Sequence, residues 1–196
     1  MNYELEKYLF DDPDAYYEYN GEKYKQSVHG KSFVRYKKAK EQAQRDVVDV
    51  KIIINIIKNF LKNVGIKTIE NPILKPRLID YAKIKEEFGL ENQKDIVWLK
   101  FTTDKYLGVV ATSDDINFVI PQSNNDYDKK YRDKWLYNSS GIIVHKLNKM
   151  WDDSFVLVFP LRNIPQGYTR FEVEKAIGNL LIANEVPILD YYSHLY

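Results

Sequence analysis

The residues best placed by type and spacing to do chemistry are cations interleaved with aromatic rings near the start of the chain. Lys23-Tyr24-Lys25 is followed by Lys31-Ser32-Phe33-Val34-Arg35-Tyr36-Lys37-Lys38-Ala39-Lys40. Lysine and arginine neutralise phosphates while tyrosine and phenylalanine stack on exposed bases, so the pattern suits single-stranded or structured nucleic acid. Lys31, Arg35, Tyr36, Lys37, Lys38 and Lys40 are the candidate binding residues. A competing use of the same charge is internal. Residues 1–20 carry six acids against one base and residues 21–67 carry twelve bases against four acids, so leader and segment can neutralise one another. The net charge of the whole chain is only +1, which argues against a dedicated DNA-binding protein. A protein partner would instead be met by Phe33, Tyr36, Tyr131 and Trp135, the residue types that dominate interface energetics.

A second constellation is Pro13-Asp14 with Asp49-Val50-Lys51. It resembles the Pro-Asp…Asp/Glu-x-Lys pattern of magnesium-dependent nucleases. That resemblance implies that Asp14 and Asp49 hold a Mg²⁺ ion while Lys51 positions or activates the attacking water. The pattern is short, and a chain with 28 acids and 29 bases meets it easily by chance. It also requires residues 47–54 to be a strand, because residues two apart on a helix do not face each other.

Histidine offers less. His29, His145 and His194 are the three in the chain, separated by more than forty residues each time. His145 falls in the alternating run Ile142-Ile143-Val144-His145-Lys146-Leu147 and reads as a sheet residue. His194 follows Asp190-Tyr191-Tyr192-Ser193, but a Ser-His-Asp catalyst draws its members from separated elements, so packing of the tail is the expectation. No P-loop, dinucleotide fingerprint, nucleophile elbow, His-Glu-x-x-His or calcium-loop pattern occurs.

The elements that must position these groups follow from periodicity. Residues 31–64 contain neither proline nor glycine, and Ala43, Val47, Val50, Ile54, Ile57, Leu61 and Val64 recur at alternating spacings of four and three. This predicts one helix over 39–64 with Val50, Ile54, Ile57 and Leu61 buried, and Gly65 as its cap. Lys51, Asn55, Lys58 and Lys62 share another face. A β-branched alternation through Val48, Val50, Ile52, Ile54 and Ile56 is the rival reading, but it would run into Lys58-Asn59-Phe60-Leu61 with no turn residue between. A short helix is expected over 78–89. Strands are expected at 96–102, 106–112, 116–121, 141–147 and 154–161. The polar stretch 122–140 reads as a long surface loop. Thr169-Arg170-Phe171-Glu172 has capping-box spacing and opens a helix to Ala183, with Phe171, Ile177, Leu180 and Leu181 facing the sheet. Residues 188–196 then form an extended tail.

The expected architecture is a single α+β domain over 1–196: a leader at 1–30, a mainly helical part at 31–95, a sheet at 96–161 and a helix at 169–184. A mainly antiparallel sheet of four to five strands would be packed by a long N-terminal helix and the C-terminal helix. Zero cysteine excludes disulfides, thiolate catalysis and cysteine-ligated metal centres, and it fits a reducing cytoplasm. The opening Met-Asn-Tyr-Glu-Leu-Glu-Lys has no secretory character, and the longest apolar run is far too short to span a bilayer. The abundance of Lys, Ile, Asn and Tyr points to an AT-rich genome, such as that of a low-GC bacterium or its phage. The expectation is a non-enzymatic intracellular binding or regulatory protein without a cofactor, meeting nucleic acid or a protein partner through its basic surface. The alternative is the magnesium-dependent nuclease of Asp14, Asp49 and Lys51.

Overall fold

Apolar runs in the second half of the chain pair into one sheet, and the helices on either side of them in sequence supply its cover. The computed structural model describes residues 1–9, 18–19, 22–23, 49–74, 85–86, 89–90, 93–101, 108–116, 119 and 156–191. Helix α1 (Tyr3–Glu6) opens the chain, and strands β1 (Glu18–Tyr19) and β2 (Glu22–Lys23) form a separate antiparallel pair. Helix α2 (Val50–Val64) and the short strand β3 (Ile73–Leu74) follow. Then come β4 (Lys94–Phe101), β5 (Gly108–Asp115), β6 (Val156–Pro160), helix α3 (Arg170–Ala183) and β7 (Ile188–Asp190).

The five-stranded sheet has the order β3-β6-β4-β5-β7. Strand β4 pairs antiparallel with β5 and β6, β3 pairs antiparallel with β6, and β7 joins β5 in parallel. The α+β class and the mainly antiparallel sheet are therefore as expected, but the edge strands come from outside residues 96–161. Because β6 and β5 both oppose β4, β6 and β7 run the same way, and α3 is the crossover that a parallel relation demands.

Alternation along the strands sorts two faces. Val97, Leu99, Phe101, Val110, Leu157, Phe159 and Ile188 belong to the main core with α2 and α3. Ile96, Trp98, Lys100, Val109, Ala111, Ser113, Val156 and Val158 lie on the other face and are buried as well. Burial on both faces explains why Val156-Leu157-Val158-Phe159 reads as a continuous apolar run instead of an alternating one. Phe101 lies across Gly108, where an added Cβ would come within 2.4 Å of its ring, so the pair at this corner requires a glycine.

Several expectations need correction. Asp49 is extended, with φ −62° and ψ 131°, and its carboxylate accepts from the Lys51 amide, so α2 begins at Val50 and does not continue through residue 49. An aspartate at this position satisfies an otherwise orphaned N–H and starts the helix. Residues 39–48 lie outside the described residues. The buried stripe of α2 is Ile53, Ile57, Phe60, Leu61 and Val64, with Val50 and Ile54 only half-buried. The rotation follows Phe60, the bulkiest apolar side chain on the helix, whose ring meets Tyr8 edge-on at 5.7 Å. Ile116 and Val119 are helical and buried, not part of a third meander strand, and their spacing of three suits one helical face. Phe171 is half-buried beneath the Arg170 guanidinium, 4.6 Å from its ring centre, while Val173 and Ala176 join Ile177, Leu180 and Leu181 in the core. Of the expected helix over 78–89, Lys85 and Glu86 are helical and Gly89 has φ +60°, and its other residues lie outside those described. The same holds for the expected strand at 141–147.

Polar side chains tie the first residues of the chain to α2, α3 and the residues around them. The Asn2 amide group donates to the Val64 carbonyl at 2.8 Å, its backbone N–H donates to the Tyr168 hydroxyl at 2.8 Å, and that hydroxyl donates to Glu6 at 2.7 Å. Asn179, buried in α3, donates to the Tyr8 carbonyl and accepts from the Tyr191 hydroxyl at 2.6 Å. The capping box of α3 forms as expected, with Glu172 accepting from the backbone and hydroxyl of Thr169. Burial opposes ionisation of Glu172, but these hydrogen bonds outweigh it and hold its carboxyl below the ordinary value. Among the described residues no helix is long and apolar enough to cross a membrane.

Ile57 is fully buried between the helices and the sheet, and Ile57→Ala is expected to cost about 2–5 kcal/mol, the range for truncating a large core aliphatic. Chemical denaturation measures this, and an unchanged midpoint would contradict the packing of α2.

Candidate nucleic-acid interface

What α2 buries determines what it shows. With Ile53, Ile57, Phe60, Leu61 and Val64 turned inward, Lys51, Ile52, Asn55, Asn59, Lys62 and Asn63 are exposed. At 3.6 residues per turn these six share one arc of about 120°, with the two lysines at one edge, Asn63 at the other, and Asn55, Asn59 and Ile52 between. The helix has three lysines and no acid between Val50 and Val64. Lys58 sits at the margin of the arc, where its ammonium pairs with Glu70 at 2.6 Å. Among the described residues Lys51 and Lys62 enter no ion pair, so their charge is available at the surface. Ile52 is 53% exposed, an apolar group set among polar neighbours.

The second cluster of charge lies at one end of the sheet and behaves in the opposite way. Lys94 approaches both Asp114 and Asp115 at 3.5 Å, while Arg170 binds Asp95 at 3.0 Å and Asp114 at 3.5 Å. The Asp114 carboxylate is the main reason that the Lys94 ammonium is held above its ordinary pKa. Two cations facing three carboxylates leave one negative charge in excess, which disfavours a polyanion here. Among the described residues no three His, Asp or Glu side chains converge to hold a metal ion. On the sheet face away from α2, Lys100 is 2% exposed beside Trp98, whose indole N–H donates to Ser113 at 2.9 Å. That group is sealed from solvent.

The site residues expected from sequence fall as follows. Lys31, Arg35, Tyr36, Lys37, Lys38 and Lys40 lie outside the described residues, as do Asp14, Phe33, Tyr131, Trp135, all three histidines and the stretch 122–140. Asp49 and Lys51 are described, and they form the cap and first turn of α2, not a strand. The Asp-x-Lys pattern thus lacks the strand on which its shared face depends, and the Asp49 carboxylate is engaged by the Lys51 backbone at 2.8 Å. The shared face of Lys51, Asn55 and Lys62 is as the periodicity predicts. Asn59, Asn63 and Ile52 were not anticipated there. They become legible once the buried stripe is widened to include Phe60 at its edge and is centred near Ile53, Val64 and Ile57, since the exposed arc is its complement.

Comparison with protein-family models, with curated proteins and with solved structures found no match to this chain. The functional reading therefore rests on the chemistry of the surface.

Asparagine is a poorer helix former than alanine by about 0.5 kcal/mol, so three of them on one exposed face weaken α2. Asn55→Ala and Asn59→Ala are each expected to raise stability by a few tenths of a kcal/mol in thermal or urea denaturation. A loss of stability in both variants would show that these amides support the fold instead of facing a ligand.

Proposed function

We propose that this chain is a nucleic-acid-binding protein that meets phosphates through the exposed arc of α2, together with the basic segment Lys31 to Lys40 that precedes it in sequence. The observation that carries the reading is the composition of that arc: two lysines outside any described ion pair, three asparagines and no carboxylate. Cations without internal partners release condensed counterions when they meet a polyanion, which supplies affinity without regard to sequence. Asparagines donate and accept hydrogen bonds at sugar and phosphate groups without adding net charge. The near-neutral net charge confines such binding to one side of the molecule. The chain acts in this reading by occupancy, as a binding or regulatory protein.

The test is the salt dependence of binding. Each neutralised phosphate contributes about −0.7 to the log–log slope on a single strand and about −0.9 on duplex DNA. Replacing Lys51 and Lys62 together by Gln should flatten the slope measured by fluorescence anisotropy by about 1.4 or about 1.8, according to substrate. An unchanged slope would remove α2 from the contact surface.

A further inference from the structure

From the arrangement of asparagines on α2, and resting on the nucleic-acid reading above, we infer that the partner is duplex DNA and that α2 reads A·T base pairs in its major groove. Asn55, Asn59 and Asn63 follow one another at spacings of four, all exposed. They form an inclined row about 12 Å long at 1.5 Å rise per residue, the length of three to four stacked base pairs at about 3.4 Å. An asparagine amide donates and accepts at once, which matches the N6 and N7 edge of adenine. Ile52, more than half exposed and next to the asparagine row, supplies the apolar contact that a thymine methyl group takes.

The residues absent from the arc sharpen the choice. Glutamate or aspartate would accept from cytosine N4, and arginine or lysine would grip guanine O6 and N7. The helix from Val50 to Val64 has no Glu, Asp or Arg, and its exposed lysines stand outside the asparagine row. Lys51 and Lys62 lie on the flank of the row, placed to meet the backbone bordering a groove. The diameter of an α-helix, about 10–12 Å, fits the major groove of B-form DNA, about 12 Å wide, whereas the major groove of an RNA duplex is too deep and narrow for side chains to read. Charge complementarity and base-edge chemistry therefore select the same occupant for this face.

The test uses the full chain and labelled 20-base-pair duplexes, one of A·T pairs in mixed order and one of G·C pairs, with a single strand and an RNA duplex of each composition, at low salt. The expected result is binding to the A·T duplex tighter than to the G·C duplex by about tenfold or more, since one good asparagine–adenine pair is worth about that much discrimination. In Asn55→Ala/Asn59→Ala the two duplexes should bind alike while the salt slope stays that of wild type. Both substitutions are at exposed sites and favour helix, so the variant folds. Equal wild-type binding to both DNA duplexes, a preference that survives the double substitution, or tighter binding to RNA or single strands would overturn this inference and leave the phosphate-binding reading standing. No binding to any of these substrates would overturn that reading itself.

Discussion

The rotation of α2 about its own axis is the constraint on which the rest depends. Five apolar side chains anchor it, with Phe60 edge-on to Tyr8 and Ile53, Ile57, Leu61 and Val64 in the main core. A helix buried on one stripe has no freedom in what its opposite stripe presents. Lys51, Lys62 and the asparagines are exposed because Ile53, Ile57 and Phe60 are not. Asp49 and Gly65 bound the helix at its two ends, the first through a side-chain cap and the second through a left-handed residue at φ +90°. The length of the presented surface is therefore set as firmly as its orientation.

The sheet behind α2 is held from both faces, and α3 provides the crossover that brings β7 beside β5. Tyr191, just after β7, packs so closely on α3 that a Cβ at Gly178 would come within 2.1 Å of its ring. Its hydroxyl reaches Asn179, which in turn holds the Tyr8 carbonyl close to the ring that steadies Phe60. Tyr191 and the start of the chain thus meet around the same part of the core. The ion-pair cluster of Lys94, Asp95, Asp114, Asp115 and Arg170 closes one end of the sheet with one carboxylate in excess, which does not attract a polyanion.

Local chemistry was legible in the sequence wherever one residue type does one job. The Thr169–Glu172 capping box, the Gly65 cap and the apolar strands β4, β5 and β6 need only neighbouring residues to be recognised. Long-range pairing was not legible: Ile73-Leu74 and Ile188 to Asp190 are too short to read as strands until β6 and β5 are there to receive them. The run from Ile52 to Ile57 satisfied helical and strand periods together, and the helix prevails because Phe60, Leu61 and Val64 continue the helical stripe without a turn. The true centre of that stripe depended on a tertiary contact, Phe60 with Tyr8, between residues more than fifty apart in sequence. The asparagine row was hidden for the same reason, since it is defined by what the core leaves outside.

The most direct measurement of the central claim is a footprint of the bound state, obtained by amide chemical-shift mapping of the full chain titrated with an A·T-rich DNA duplex. The account predicts that the perturbed resonances centre on Lys51, Ile52, Asn55, Asn59 and Lys62, and that those of Lys94, Asp114 and Arg170 stay in place. Perturbations confined to the sheet end, with the exposed arc of α2 unchanged at saturation, would contradict it.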